Sequence, residues 1–220
     1  VVELAEDCSQ EDYLAALEDL NKDETVHGIL CFRPLPAHID EEIVKYYIDD
    51  KKDVDCFSPL SLAKIMSGDK RGFAPCTPMG VIEILKYYDI DLRGKNVTVL
   101  GRSMVVGKPL SMLLLNRDST VTICHSKSKD LENIVKESDI LVSCMGRPKA
   151  VDKSYIKEGA VVIDVGINFD QEGKMCGDVD TDDVLERVSH ITPVPGGVGS
   201  VTSSILARHT LRACIQLHNL

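Results

Sequence analysis

The sequence lacks the features that mark metal fingers, membrane spans and nucleic-acid-binding surfaces. Its eight cysteines are all at least twenty residues apart, so none forms the short C-x-x-C pair that zinc sites and redox pairs need. No apolar run approaches the roughly 18 residues of a membrane span, and no secretory signal is visible. Acidic residues outnumber basic ones by 35 to 25. The net charge of −10 therefore argues against nucleic acid or an anionic membrane as a partner.

The cysteines and histidines are scattered in a way that indicates neither disulfides nor a metal. Cys31 and Cys124 lie in apolar runs, as reduced and buried cysteines do. This predicts a reduced protein of the cytoplasm. The six histidines show no metal-ligand spacing, so no metal site is expected.

What the sequence does contain is enough apolar material for a sizeable core. It has 220 residues, of which 44% are hydrophobic and 27% charged. This suits one large domain or two small ones. The chain begins with Val1 rather than methionine, and we therefore expect it to be a fragment of a longer protein.

The N-terminal part predicts helices, one strand and a long loop. Ser9 followed by Asp12 is a helix-capping pattern and predicts a helix over residues 10–21. The apolar run 26–32 predicts a buried strand. Asp40 predicts the cap of a second helix, whose inner face would contain Ile43, Val44, Tyr47 and Ile48.

A long irregular segment is expected after that second helix, from residue 51 to about 78, because it is rich in proline, glycine and aspartate. A further amphipathic helix is expected around residues 81–88. Tyr47 and Lys51 have the spacing of a catalytic Tyr–Lys pair on a helix. We do not assign them that role, because Tyr47 is expected on the apolar face.

From residue 94 onward, strand and helix patterns alternate. The strand candidates are 96–100, 120–124, 139–144 and 160–165, with helices at about 107–116 and 130–137 and a terminal helix over 201–220. Strands that are apolar on both faces and separated by helices predict a parallel sheet with right-handed crossovers. The predicted fold class is therefore α/β.

A glycine-rich turn follows the first of these strands. Gly101-Arg102-Ser103 is followed by Gly107 and Pro109, and the segment joins a strand to a helix N-terminus that can receive a phosphate. The spacing differs from the G-x-G-x-x-G fingerprint of dinucleotide sites, and an ordinary strand-to-helix turn is the alternative.

The end of the next strand indicates which dinucleotide fits. NAD sites usually carry an Asp or Glu there for the ribose hydroxyls, but this strand is followed by His125, Ser126 and Lys127. Arg102, Ser126 and Lys127 can bind a 2′-phosphate, which favours NADP. Lys127 is alternatively a solvated surface charge.

Two other segments are candidates for ligand contact. Residues 192–199, TPVPGGVG, contain three glycines that allow a close approach to a flat ligand, although a plain interdomain turn has the same composition. In residues 52–55, KDVD, one carboxylate can accept hydrogen bonds from a heterocycle. From the residues alone a solvated acidic turn is the simpler interpretation.

Eight segments in one order carry a resemblance to a known family: VHGILCFRPLP, KDVD, PCTPMG, GRSMVVGKP, TVTICHS, VVIDVGIN, GDVD and TPVPGGVG. Over about residues 26–210 the chain resembles the bifunctional methylenetetrahydrofolate dehydrogenase/cyclohydrolase family, lacking its N-terminal segment. The resemblance implies a Rossmann-like parallel-sheet NADP domain over 80–200. It also implies a smaller α/β folate domain over 1–79 that is completed by helix 201–220, with a cleft between the domains.

The resemblance also implies two reactions on one folate. NADP oxidises methylenetetrahydrofolate to methenyltetrahydrofolate, and water then opens the methenyl group to give 10-formyltetrahydrofolate. A cytoplasmic homodimer that serves one-carbon metabolism and purine biosynthesis is implied as well.

Cofactor-binding residues carried over from the family are those of the glycine-rich turn and of the neighbouring strand ends. Gly101, Arg102 and Ser103 would contact the NADP phosphates, Ser126 would join Arg102 at the 2′-phosphate, and Ile167 would pack beside the nicotinamide.

Substrate-binding residues carried over in the same way are three. Asp55, grouped with the catalytic residues because it would bond and position the pterin ring, is the first, and Gly196 and Gly197 would border the folate and the nicotinamide.

Departures from the family pattern leave three interpretations. The family's catalytic lysine has no counterpart here, and Phe32 stands where the family usually has glutamine. Cys56 and Ser200 replace the usual glycine and proline. The chain is then a bifunctional enzyme in its intact form, a monofunctional dehydrogenase, or a non-catalytic NADP- or folate-binding module.

Overall fold

The computed structural model describes residues 1–219 and divides the chain into two compact units. The first unit is formed by Val1–Pro75 together with the C-terminal residues from Leu206 onward, and the second by Cys76–Ile205. The helices are α1 (Gln10–Lys22), α2 (Glu41–Val44), α3 (Pro59–Ser67), α4 (Cys76–Tyr87), α5 (Gly107–Leu115), α6 (Leu131–Lys136), α7 (Thr181–Val184) and α8 (Val198–His218). No helix of the described residues is long and apolar enough to cross a membrane.

The first unit is mainly helical and packs around an apolar cluster. Helix α1 begins with the expected capping box, in which the Ser9 hydroxyl and the Asp12 carboxylate each satisfy the other's backbone amide. Leu17 on α1 and Val44 on α2 are buried in the cluster with Ile29, Ile39, Ile48 and Phe57. The cluster therefore fixes the segment that follows α1 and the start of the KDVD turn.

Three expectations for this unit were wrong. The run 26–32 forms no strand, because only Ile29 pairs, in a single bridge with Asp53. The helix after Asp40 ends at Val44, where the bonds from Tyr46 to Ile43 and from Tyr47 to Val44 tighten the backbone into turns. These turns leave Ile43 and Tyr47 exposed rather than on an inner face.

A helix, α3, also lies within the segment that was expected to be irregular. Its sequence signals are Ser58 as N-cap, Pro59 in the first turn and Gly68 at the C-cap with φ of 71°. This combination is the usual pattern of proline at the start and glycine at the end of a helix.

The second unit is built on a five-stranded parallel sheet, as the alternating pattern predicted. The strands are β1 (Asn96–Leu100), β2 (Thr120–Cys124), β3 (Ile140–Ser143), β4 (Val161–Asp164), β5 (Asn168–Phe169), β6 (Met175–Cys176) and β7 (His190–Ile191). The sheet has the order β2-β1-β3-β4-β7, and every pair in it is parallel. Strands β5 and β6 form a separate antiparallel pair.

The central strands are buried along their whole length, which explains their continuous apolar runs. Strand β7 and the β5–β6 pair were missed, because two residues are too few to show a period. The strand order changes direction between β1 and β3, which is the switch point where open α/β sheets bind ligands.

Candidate functional site

The carboxyl ends of the five parallel strands place five loops along one edge of the sheet. Taken across the sheet, these loops follow β2, β1, β3, β4 and β7. Adjacent strands are about 4.8 Å apart, so the edge is about 19 Å wide from β2 to β7. All predicted site residues of the second unit lie in these loops.

The turn after β1 is closed tightly against its neighbours. Gly101 has φ of 129°, and a Cβ there would lie 2.5 Å from the carbonyl oxygen of Cys144 at the end of β3. A Cβ on Gly107 would overlap the carbonyl of Gly101. The amide of Gly101 donates to the carbonyl of Cys124 at 2.8 Å. Only glycine fits at these two positions, because backbone atoms occupy the space of a side chain.

Helix α5 begins directly after this turn, so the positive end of its dipole lies there, although the Lys108 amide already donates to the carbonyl of Ser103 at 3.0 Å and Pro109 has no amide hydrogen. Val106, at the N-cap position, provides no side-chain cap, whereas the hydroxyl of Ser103 accepts a hydrogen bond from the Val106 amide at 3.1 Å. The side chains of Arg102 and Ser103 are exposed. The turn therefore combines a helix N-terminus with one guanidinium, which suits a phosphate.

The loop after β2 presents Ser126 and Lys127 at the same edge. His125 and Ser128 close the turn through two hydrogen bonds, His125 amide to Ser128 hydroxyl at 3.0 Å and Ser128 amide to His125 carbonyl at 2.8 Å. Ser126 and Lys127 are the exposed central residues of this turn. No acid stands between residues 120 and 129, and the first acid of this loop is Asp130 at the N-cap position of α6, whose carboxylate accepts a hydrogen bond from the Asn133 side-chain amide at 2.7 Å.

A cavity of about 490 Å³ brings the remaining predicted residues of this unit together. Ile167, Gly196 and Gly197 all line it, with Ile167 65% exposed. Gly196 has φ of 96°, and a Cβ on Gly197 would overlap the carbonyl oxygen of Pro193. The glycines thus keep one wall of the cavity free of side chains.

Two buried carboxylates that the sequence analysis missed hold the loops of this edge in place. Asp178 is fully buried. Its oxygens accept hydrogen bonds from the Ser143 hydroxyl at 2.9 Å, the Met145 amide at 2.6 Å, the Arg147 amide at 2.9 Å and the Asn168 side-chain amide at 2.9 Å. One carboxylate therefore joins the loops that follow β3 and β4.

Asp164, at the end of β4, is the second buried carboxylate of this edge. It accepts hydrogen bonds from the amides of Gly166 at 2.9 Å, Asp178 at 3.1 Å and Val179 at 2.9 Å. Burial raises the pKa of Asp164 to about 6, and the nearby charge of Asp178 acts in the same direction. The signal in the sequence was an aspartate at the end of an otherwise apolar strand.

Asp55 belongs to the first unit and lies two residues after Asp53, which differs from it in being fully buried. Asp53 accepts hydrogen bonds from the amides of Phe57 and Ser58, both at 2.8 Å. The buried ammonium of Lys52 caps the end of α1 by donating to the carbonyls of Leu20, Asn21 and Asp23. Asp53 and Lys52 thus fix the turn, and Asp55 is left half-buried at its surface.

His209 on α8 supports the same turn from the other side. Its Nδ1 lies 2.9 Å from the carbonyl oxygen of Val54. Burial lowers the pKa of His209, and because a carbonyl oxygen can only accept, Nδ1 is the donor of this hydrogen bond. Cys56, in the position where glycine is usual in the family, has φ of 58°. Glycine adopts a positive φ without steric cost, which explains why glycine is usual at this position.

Phe32, in the glutamine position, is 77% exposed. Its ring has no hydrogen-bonding group, so it cannot orient a water molecule as an amide can.

Comparison with known proteins gives one consistent result. Residues 75–218 match the family described as tetrahydrofolate dehydrogenase/cyclohydrolase, NAD(P)-binding domain. Residues 1–55 match tetrahydrofolate dehydrogenase/cyclohydrolase, catalytic domain. The bifunctional protein FolD of Clostridioides difficile is 64% identical over 214 residues, which are 97% of this chain and 75% of that protein.

Solved structures agree with this match. The bifunctional FolD methylenetetrahydrofolate dehydrogenase/cyclohydrolase of Campylobacter jejuni is 42% identical with a TM-score of 0.95, over 97% of this chain and 76% of that one. The Trypanosoma brucei methylenetetrahydrofolate dehydrogenase-cyclohydrolase, solved with NADP and an inhibitor, is 39% identical with a TM-score of 0.92. It covers 98% of this chain and 75% of that one.

Proposed function

The chain belongs to the tetrahydrofolate dehydrogenase/cyclohydrolase family, and from this premise we propose which reactions it performs. The protein oxidises methylenetetrahydrofolate to methenyltetrahydrofolate with NADP, and in its intact form it hydrolyses the product to 10-formyltetrahydrofolate. The observation that carries this proposal is the row of glycine turns and cations along the carboxyl edge of the sheet in the second unit.

The residues at this edge fit NADP better than NAD. Gly101 and Gly107 let the turn close tightly against the Cys144 carbonyl and against itself, and the turn leads into the N-terminus of α5, whose dipole favours a pyrophosphate. Arg102, Ser126 and Lys127 are on neighbouring loops, and no acid lies between residues 120 and 129. A 2′-phosphate would be bound by the guanidinium and the hydroxyl, whereas an acid directly after β2 would repel it.

The far end of the same edge would hold the nicotinamide. When bound, NADP supplies the hydride acceptor. Ile167 gives the ring an apolar contact, and Gly196 and Gly197 allow the folate to approach it closely. Asp164 and Asp178 act through other residues, because their hydrogen bonds fix the loop that carries Ile167.

We assign the folate to the first unit, with Asp55 as the residue that bonds and positions the pterin ring. A carboxylate can accept hydrogen bonds from adjacent N–H groups of a heterocycle. The support for this role is the KDVD turn, whose backbone is fixed by the hydrogen bonds of Asp53 and Lys52 and which holds Asp55 in a half-buried position.

A monofunctional dehydrogenase is the second candidate, and the exposed Phe32 favours it. Hydrolysis needs a group that orients the attacking water, and a phenyl ring cannot do so. Hydride transfer depends instead on holding cofactor and substrate in register. The loss of one amide would therefore reduce the second reaction more than the first.

We further propose that the protein works in the cytoplasm as a homodimer and supplies one-carbon units for purine biosynthesis. All eight cysteines are free thiols, which suits a reducing compartment. The dimer and the pathway rest on the family alone.

The test is an assay that separates the two reactions. The intact protein is mixed with methylenetetrahydrofolate and NADP, while NADPH and the methenyl product are followed at two wavelengths. NADPH formation without accumulation of methenyl is the result expected for the bifunctional enzyme.

Accumulation of methenyl together with NADPH would favour the monofunctional dehydrogenase. The absence of NADPH from a protein that still binds NADP would contradict the proposal and favour a non-catalytic binding module.

A further inference from the structure

Two imidazoles and a thiol converge in the first unit, and none of the three residues is assigned to the folate or to NADP. Atoms of His27, Cys214 and His218 that can ligate a metal all lie within 4.8 Å of one another. The Nε2 atoms of His27 and His218 are 2.9 Å apart, and the two rings meet edge to face with centroids 5.0 Å apart.

The three side chains are held by ordered backbone. Cys214 and His218 are four residues apart on α8 and therefore occupy the same face of the helix. His27 is two residues before Ile29, whose amide donates to the carbonyl of Lys52 at 2.7 Å. A Cβ added to Gly28 would lie 3.2 Å from the hydroxyl of Thr210 on α8. Gly28 therefore allows the chain next to His27 to lie close to the helix.

The chemistry of the three groups selects a class of metal. Imidazole nitrogen and thiolate sulfur are the ligands of Zn²⁺ and related borderline cations, whereas Mg²⁺ and Ca²⁺ require oxygen. Three protein ligands with a fourth, solvent-filled position are a common tetrahedral arrangement for zinc. The exposure of His218 and the half-burial of His27 and Cys214 leave a path for such a cation.

We propose that His27, Cys214 and His218 form a site for a borderline divalent transition-metal ion, with Zn²⁺ as the ion that fits best. Binding replaces the contact between the two histidines with two nitrogen–metal bonds and releases the proton of the Cys214 thiol. The site lies apart from Asp55 in sequence and uses none of the residues assigned to folate or NADP.

The sequence expectation of no metal site depended on short spacings. The ligands here are 187 and 191 residues from His27 along the chain, and only the packing of α8 in the first unit brings them together. Cys214 and His218 form a local pair on one face of α8, but no local pattern reveals that His27 lies beside them.

The site is tested on the reduced, metal-free chain by titration with Zn²⁺ in a calorimeter and with Co²⁺ in a spectrophotometer. One equivalent of Zn²⁺ is expected to bind. Co²⁺ is expected to give the ligand-to-metal charge-transfer band of a cobalt–thiolate bond and the strong visible bands of tetrahedral cobalt. Zn²⁺ affinity should fall as the pH is lowered, because protons compete for all three ligands.

Matched variants decide whether these residues are the ligands. His27→Gln, Cys214→Ser and His218→Gln should each weaken Zn²⁺ binding by about a hundredfold or more, and Cys214→Ser should abolish the cobalt–thiolate band. Cys8→Ser and His38→Gln, in the same unit, should leave the Zn²⁺ affinity and the cobalt–thiolate band unchanged. Circular dichroism verifies that each variant folds, and exposed His218 is the position least able to disturb folding.

A wild-type chain that binds no Zn²⁺ would overturn the proposal. A cobalt–thiolate band that persists in Cys214→Ser would also overturn it, because another cysteine would then be the ligand.

Discussion

At the scale of single residues, the distinction between NADP and NAD falls mainly on Arg102. It is the only cation in the turn between β1 and the start of α5, and its side chain is exposed beside the loop that carries Ser126. A guanidinium can bind a phosphate through two parallel hydrogen bonds, whereas the ribose hydroxyls of NAD offer no such charge.

Arg102→Ala should therefore weaken NADP binding by about ten- to a hundredfold, the value of a charge-assisted hydrogen bond, and change NAD binding little. Calorimetric titration with each dinucleotide measures both. Arg93→Ala is the control, because it removes the same charge just before the opposite end of β1. Equal losses for NADP and NAD in Arg102→Ala would exclude the 2′-phosphate role.

Asp55 carries the folate assignment in the same way. Asp55→Ala should reduce folate turnover by about a hundredfold or more, because the substrate loses a charged hydrogen-bond partner, while NADP affinity stays unchanged. Steady-state kinetics and NADP titration give the two values. Asp7→Ala removes an exposed charge from the same unit and should have no effect. Normal turnover in Asp55→Ala would remove this residue from the site.

At the scale of elements, the turn between β1 and α5 depends on the absence of a side chain at Gly101. Two costs add there, since φ is 129° and a Cβ would lie 2.5 Å from the Cys144 carbonyl oxygen. Gly94 allows the backbone cost to be measured alone. Its φ is 70°, but no atom lies within 4 Å of a Cβ added there.

Gly94→Ala should lower the free energy of unfolding by about 1–2 kcal/mol, the cost of the left-handed backbone alone. Gly101→Ala should lower it by about 3 kcal/mol or more and also abolish NADP binding, because the neighbouring strand end must move. Denaturant unfolding and NADP titration of both variants check this. Equal effects in the two variants would show that the close contact with Cys144 has no energetic weight.

The loops after β3 and β4 depend on buried carboxylates, and this gives the protein a pH dependence. The pKa of Asp164 is about 6 in the folded protein because the carboxyl is buried, whereas an unfolded aspartate has a pKa of about 3.9. The folded state therefore holds this proton more tightly than the unfolded chain. The contribution of Asp164 to the free energy of unfolding is therefore greatest below pH about 4 and is lost as the pH rises towards about 6.

The stability advantage of the wild type over Asp164→Asn should consequently shrink by roughly 2–3 kcal/mol between pH about 4 and about 6, and stay constant above that. Urea unfolding at a series of pH values measures the difference. Asp182→Asn, an exposed acid of the same unit, should show no such trend. A difference that grows with pH would contradict the raised pKa.

At the scale of the whole molecule, regular patterns were predictable and tertiary contacts were not. The sequence predicted β1 and β2 to the residue and the parallel sheet, because apolar strands between helices leave few alternatives. The run 26–32 has the same apolar character but finds only one bridging partner. Whether an apolar run becomes a strand is decided by its neighbours, which the local sequence does not contain.

The candidate site shows the same division. Gly101 and Ser126 follow predicted strands, and their meeting at one edge follows from parallel pairing. Asp178 joins β3 to the loop after β4 across 35 residues of sequence, and Asp164 bonds an amide 15 residues away. Such hydrogen bonds have no fixed spacing, so only the folded structure reveals them.

The central claim is that this chain moves a hydride from methylenetetrahydrofolate to NADP. The most direct test is to supply methylenetetrahydrofolate in which both hydrogens of the methylene bridge are deuterium and to analyse the product dinucleotide by mass spectrometry. The claim predicts NADPH that carries one deuterium on its nicotinamide ring. NADPH without deuterium, or no reduced dinucleotide from protein that binds NADP, would contradict it.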